Sequence, residues 1–335
     1  MLKRFIYSRE GILSLIVLAL FLGVGMISPA FISLPNSISI FNDTSILIML
    51  SLGQMLVILT RCIDLSVAAN VAFTGMVVAM TNQYFPQLSM AILIVLALAL
   101  GALLGAINGL FVWLLKVPSI VITLGTMSIY RGCTFLLSDG AWVNSHQMSP
   151  SFIALPRFEI LSVPVLSWIA VVAIIIVFWA MKYSVWGRNF YSAGGNPTAA
   201  FYSGVNVGKV QFYAFLVSGT LSGLCGYLWV SRFAVAYVDV ANGFELQVVA
   251  ACVIGGISIV GGVGTVVGCV VGALFIGVVN NALPIIGVSP FWQMAISGLV
   301  IVIAVIANAS SDKDKARIIL RKPNESDDSV QAPSH

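Results

Sequence analysis

Apolar runs, each long enough to cross a bilayer, succeed one another along nearly the whole chain, with only short polar segments between them. A helix needs about 20 predominantly apolar residues to traverse the hydrocarbon core. Lipid offers no hydrogen-bond partner to the backbone, so runs of this kind must be helices that satisfy their own N–H and C=O groups. The composition leaves no soluble alternative. Of 335 residues, 59% are hydrophobic and 8% charged, with a mean hydropathy of +1.04, which is too little polar surface to clothe a water-soluble globule. The expected fold is an all-α polytopic membrane protein, a bundle of about ten transmembrane helices.

The runs lie near residues 11–31, 43–60, 65–81, 90–115, 118–137, 163–181, 210–230, 245–259, 264–283 and 290–307. Glycine, proline and polar residues shorten the second, third, fifth and eighth, where broken or re-entrant helices are expected, covered by protein or water. The basic start MLKRFIYSRE before an apolar run also suits a secretory signal, but the run is too long and no clear cleavage site follows.

An even number of spans puts both termini on one side. With that side cytoplasmic, Lys3, Arg4, Arg9, Arg61, Lys116, Lys182, Arg188 and Lys209 face inward together with the basic tail, and only Arg131, Arg157 and Arg232 face outward. Membrane insertion favours that asymmetry. The chain thus divides into a transmembrane domain over 1–307 and a charged cytoplasmic tail over 308–335, expected to be disordered. The net charge of +4 is scattered singly between apolar runs and signals no nucleic-acid partner. Cys62, Cys133, Cys225, Cys252 and Cys269 form no C-x-x-C pair and histidines do not cluster, so packing roles are expected rather than a metal centre or disulfides.

Residues 182–209, KYSVWGRNFYSAGGNPTAAFYSGVNVGK, are a polar, small-residue interruption between two apolar runs. Inside them is a complete short-helix signature: Asn196 fits the N-cap, Pro197 the first helical position and Gly204 the left-handed residue past the end. Taken alone, this cytoplasmic segment is either a well-formed connecting loop or a docking element. WGRNFYSAGGNPTAAFYSGVNV resembles the coupling-helix segment of the permease subunits of ribose-, xylose- and rhamnose-type ABC importers. Gly187, Arg188, Gly195, Asn196, Ala199, Ala200, Ser203, Gly204 and Val205 fall on that order. The resemblance implies that a short coupling helix over 196–204 docks into partner ATPase subunits.

RCIDLSVAAN at 61–70 places Asp64 between two runs as a helix cap, an ion site or a solvated carboxylate, and its position before Leu65 and Ser66 suits the N-cap of the next helix. The stretch resembles the same family's G-G-I-D-L-S-V-G-S motif through Ile63, Asp64, Leu65, Ser66 and Val67, with Arg61 and Cys62 in place of the glycine pair and Ala68 and Ala69 in place of Gly-Ser. Glycine then recurs at Gly255, Gly256, Gly261, Gly262, Gly264, Gly268, Gly272 and Gly277. No P-loop is present, because residues 204–209 have the wrong spacing and no Ser or Thr follows the lysine. Gly264, Gly268 and Gly272, four residues apart, are expected to form one close-packing helix face. IGGISIVGGVGTVVG, which includes Ser258 and Thr265, further resembles the family's G-G-x-S-x-x-G-G-x-G-T-x-x-G signature, and WQMAISGLVIV at 292–302 extends the resemblance into the last run.

Polar residues inside the runs are few. Asn108, Thr123, Thr126, Tyr130, Arg131, Asn280, Asn281 and Gln293 either bond between helices or line a hydrophilic path. Tyr227, Trp229, Phe233 and Tyr237 suit interfacial anchoring. The resemblance as a whole implies the permease subunit of a bacterial carbohydrate ABC importer in the inner membrane, with the rhamnose type nearest and the autoinducer-2 type next. A second permease copy or a related permease completes the pathway, a periplasmic binding protein delivers the sugar, and ATP with Mg binds the separate ATPase and not this chain. An ion-coupled carrier or channel is the rival reading. It would place charges at mid-membrane, and only Asp64 and Glu245 come near the core. An intramembrane enzyme would need HExxH, GxSxG or a buried histidine, none of which is present.

Overall fold

The structure, a computed structural model, describes residues 9–289 together with Trp292, Ala295, Gly298, Leu299 and Val302. Gln293, most of the run at 290–307 and the tail at 308–335 lie outside the described residues. The helices are α1 (Arg9–Ile27), α2 (Leu34–Leu59), α3 (Val67–Tyr84), α4 (Met90–Leu115), α5 (Ser119–Ser138), α6 (Pro150–Arg157), α7 (Val165–Tyr183), α8 (Val185–Gly195), α9 (Pro197–Tyr202), α10 (Val207–Phe233), α11 (Phe244–Ile254) and α12 (Val266–Ile285). Four two-residue strands tie loops together: β1 (Val143–Asn144) pairs antiparallel with β4 (Val235–Ala236), and β2 (Glu159–Ile160) with β3 (Val163–Pro164).

Among the described residues seven helices, α1, α2, α4, α5, α7, α10 and α12, are long and apolar enough to cross a membrane. Their outward faces carry Leu103, Val121, Leu136, Ile175 and Trp179. Polar groups sit inside the bundle instead: Gln54 of α2, Asn108 of α4, and Asn70, Thr74 and Asn82 of α3 are all buried. That arrangement suits a lipid solvent, because a polar side chain is cheapest where protein can bond it. α3 follows from the same logic. It is 18 residues long and buried along most of its length, so its sequence need not be as apolar as that of a lipid-facing helix.

Two expected boundaries change. α2 begins nine positions before the apolar run starts, because Ser33 caps it, Pro35 sits in its first turn, and polar Asn36, Ser37, Asn42 and Asp43 belong to the helix. The expected eighth span is not a full crossing: α11 has 11 residues, about 16 Å, roughly half the hydrocarbon thickness. The rest of that passage is an irregular glycine turn over 255–265. Its backbone is satisfied by protein, with Ser258 N–H donating to Val263 O at 2.9 Å and Gly262 N–H to Leu59 O at 3.0 Å.

The longest buried seam runs between α4 and α10. A Cβ on Gly101 would stand 2.3 Å from Gly219 O, one on Gly105 2.3 Å from Phe215 O, and one on Gly223 2.2 Å from Ala97 O. Small residues let the two backbones meet, as they do where helices associate in lipid. Tyr227, expected at the membrane interface, is instead a core residue, with its ring edge-on to Phe152 at 5.1 Å.

Candidate functional site

The connections 60–66, 116–118, 184–206 and 255–265 gather at one end of the bundle, and the sequence motifs come together there. α8 starts on a Ser184 cap, whose hydroxyl accepts from Gly187 N at 3.1 Å. Gly187 is required by closeness, since a Cβ there would stand 2.2 Å from Met181 O. α9 follows as the residues dictate: the Asn196 carbonyl oxygen accepts from Ala199 N at 3.0 Å, Pro197 opens the helix, and Gly204 closes it at φ +84°. A side-chain cap of this kind is worth roughly 1 kcal/mol, which matters for a helix of six residues. Ala200 turns inward, whereas Arg188, Gly195, Asn196, Ala199, Ser203 and Gly204 are exposed. At the tip Phe201 and Tyr202 stand 68% and 83% exposed. A cleft of about 510 Å³ at the same end, reached by Gly204 and Val205, is lined by Trp186, Asn189, Lys209 and Tyr213.

The glycine turn lands on this segment. A Cβ on Gly262 would stand 2.4 Å from Gly195 Cα, and the Tyr191 hydroxyl donates to Gly264 O at 2.9 Å. Gly261 and Gly262 hold φ of +90° and +72°, a left-handed turn that favours residues without a Cβ. Thr265 caps α12, accepting from Gly268 N at 3.0 Å, and donates to the Glu10 carboxylate of α1. Gly255 packs on Gly268, and Gly272 on Ala251 O at 2.1 Å from a notional Cβ. The three-glycine face expected on α12 is therefore two glycines, because Gly264 precedes the helix at φ +152°. Gly256 and Ser258 belong to the turn itself, and Gly277 packs on Thr44.

Asp64 is not the N-cap of α3. That position is held by Ser66, and Asp64 Oδ1 instead accepts from Ser66 N at 2.9 Å and Ser66 Oγ at 2.7 Å, closing a turn in the connection. Asn108 Nδ2 donates to Ser66 Oγ at 2.8 Å. The Gln54 amide, oriented to satisfy both partners, donates to Asp64 O at 3.1 Å and accepts from Asp64 N at 3.2 Å. Asp64 is 2% exposed, and burial raises its carboxyl above the ordinary range, opposed by the hydrogen bonds from Ser66.

Thr123 donates to Ile63 O at 3.2 Å, Thr126 to Thr123 O at 3.3 Å, and Tyr130 to Leu104 O at 2.9 Å. With Asn108 they are bonded within this chain's α3–α4–α5 contact. Asn280 is elsewhere. It lines a cleft of about 180 Å³ at the opposite end with Asp43, Arg232, Gln247 and Asn281, where Arg232 pairs with Asp43. Arg131, also towards that end, donates to Val240 O at 2.8 Å.

Three features escaped the sequence reading. Arg61 Nε donates to Gly194 O at 2.6 Å and Nη2 to Gly195 O at 2.9 Å, a contact between residues far apart in sequence. Phe201 and Tyr202 stand at the tip of α9. The α4–α10 seam is the third, although Gly101, Gly105 and Gly109 at four-residue spacing were a readable signal.

The family described as "Branched-chain amino acid transport system / permease component" matches residues 36–305. The chain is 36% identical over 307 residues to the Ribose import permease protein RbsC of Haemophilus influenzae, covering 91% of this chain and 94% of that protein. It is 34% identical over 306 residues to the Autoinducer 2 import system permease protein LsrC of Photorhabdus luminescens, covering 91% of each. The LsrC of Enterobacter sp. is 36% identical over 302 residues, 90% of this chain and 86% of that protein. No solved structure matches. With the family covering most of the chain and these relatives aligned nearly end to end, the chain belongs to this family of transport-system permease components.

Proposed function

We propose that this chain is the membrane-spanning subunit of a bacterial carbohydrate ABC importer. About ten spans, counting the passage built from α11 and the glycine turn and the run at 290–307, put both termini in the cytoplasm. α8 and α9 are the coupling element, against which a separate ATPase carrying ATP and Mg would dock. The observation that carries this reading is α9, a capped helix at the tip of an end loop that holds Phe201 and Tyr202 out of the protein. Aromatic side chains exposed in this way match the anchors that dominate protein interfaces. A periplasmic binding protein would deliver the sugar, and a second permease copy or a related one would complete the pathway. Asn108, Thr123, Thr126, Tyr130, Asn280 and Gln293 are its candidate polar lining. Relatives named for ribose and autoinducer-2 import support a sugar or sugar-like substrate; rhamnose or another deoxy or pentose sugar is the finer proposal.

The test is co-purification in mild detergent with an ATPase subunit encoded beside this chain. Wild type should retain it, and a variant with 196–203 replaced by a Gly-Ser linker should lose it while staying folded. Absence of retention by wild type would return attention to an ion-coupled carrier, with Asp64 and Glu245 as its acidic groups.

A further inference from the structure

Arg61 occupies a strained position that its side chain makes use of. Its φ is +65°, a left-handed backbone that a residue with a Cβ seldom adopts. From there the guanidinium forks onto Gly194 O and Gly195 O, the last carbonyls of α8, at 2.6 and 2.9 Å. A cation at a helix C-terminus also answers the helix dipole. The surrounding joint has no slack. Leu59 O, Gly194, Gly195, Gly261 and Gly262 meet backbone to backbone, and the stem of Arg61 lies against Gly261, where a Cβ would stand 2.5 Å from Arg61 Cγ.

The other side of Arg61 leads into α5. Two residues on, Ile63 N–H donates to Ser119 Oγ at 3.0 Å and Ile63 O accepts from Thr123 at 3.2 Å, so the connection grips the first turn of α5. α5 presents its other face outward. Val121, Leu124, Ile129 and Leu136 face outward, and Gly125 and Gly132 have nothing within 4 Å of a notional Cβ.

We infer that Arg61 is a positioning residue that latches the coupling segment to the α2–α3 connection, so that displacement of α8 and α9 by a docked partner is passed through residues 61–66 to the first turn of α5. This rests on the reading of α8 and α9 as the ATPase-docking element. It adds a route for the movement and one residue on which that route depends.

The test uses the complex with its ATPase, compared nucleotide-free and trapped with ATP and vanadate, and reads amide hydrogen exchange over 196–204 and 119–126. Wild type should show a nucleotide-dependent change in both segments, of roughly fivefold or more, the lower end of ordinary coupling between sites. Arg61→Gly relieves the left-handed strain, so it should fold and retain the ATPase. Its response should persist over 196–204 and vanish over 119–126. Arg61→Lys keeps the charge without the fork and should behave like Arg61→Gly. An undiminished response over 119–126 in Arg61→Gly, full rescue by Arg61→Lys, or a wild-type response confined to 196–204 would each overturn the latch. A wild type that retains no ATPase would fail the docking assignment first, and the latch with it.

Discussion

Gly194 meets Leu59 with no space for a side chain between them: a Cβ on Gly194 would stand 1.7 Å from the Leu59 carbonyl oxygen, which accepts from Gly262 N–H at 3.0 Å. Three segments far apart in sequence thus share one backbone joint. Gly194→Ala must move a backbone, not a flexible side chain. Overpacking of this kind costs roughly 1–3 kcal/mol or more. The expected outcome is a lower melting temperature in detergent, read by fluorescence-detected size exclusion. Gly195→Ala, where a Cβ meets nothing within 4 Å, should melt close to wild type.

At the tip of α9 the expectation concerns binding and not folding. Phe201 and Tyr202 are solvent-exposed, so truncating them removes little from the free protein. If they anchor a partner, each Ala substitution should cost about 2 kcal/mol of association, near thirtyfold in affinity, with the melting temperature unchanged. Asn196→Ala should act differently, loosening the helix through the lost cap, by roughly 1 kcal/mol. Titration of the purified ATPase against each variant, with thermal melts in parallel, separates the two effects.

Asp64 offers a test by pH. Its carboxyl is raised by burial. A group whose folded pKa lies above its unfolded value contributes stability that is complete below the unfolded pKa and is lost as pH rises through the folded one. Asp64→Asn keeps an oxygen for Ser66 and carries no charge, so its melting temperature should match wild type at acid pH and exceed it increasingly at alkaline pH. Asp64→Ala leaves Ser66 without its acceptor and should destabilise at every pH, by roughly 1–3 kcal/mol for the stranded polar group. An Asp64→Asn that is equally destabilised at all pH values would overturn this account. If Asp64→Asn abolished proton-linked uptake instead, the carrier reading would gain.

Hydropathy made the crossings legible wherever a helix faces lipid, as in α4 and α7, because solvent there selects apolar side chains without regard to tertiary structure. It failed where protein is the solvent. The start of α2 reads as a polar loop because Asn36, Ser37 and Asn42 are polar residues that the Ser33 cap and Pro35 bring into the helix. α11 reads as a span because the apolar pattern runs on into a turn that only the contacts of Gly261 and Gly262 reveal. The caps of α9 were legible to the residue, since Asn196, Pro197 and Gly204 act locally. Asp64 was misread because an Asp three residues before the helix can close its own turn as readily as cap the next one, and Ser66 decided between them. Arg61 could not be found, because its partners are carbonyls that carry no sequence signal.

The α4–α10 seam gives the sharpest contrast between glycines. A Cβ on Gly105 would meet Phe215 O at 2.3 Å and Gly219 Cα at 2.8 Å, and one on Gly268 would meet Gly255 O at 2.2 Å, whereas Gly125 has open space. Alanine is otherwise preferred to glycine inside a helix by roughly 1 kcal/mol. Gly125→Ala should therefore hold or raise the melting temperature. Gly105→Ala should lower it sharply, since the backbones of α4 and α10 must separate along their whole contact to admit one methyl group. Gly268→Leu should separate α12 from the glycine turn and abolish transport even where some folded protein survives. If Gly105→Ala and Gly125→Ala melted alike, the close approach of α4 and α10 would not be what holds the bundle, and the polar cluster around Asn70, which donates to both Gly101 O at 3.3 Å and Gly219 O at 3.5 Å, would have to carry that role instead.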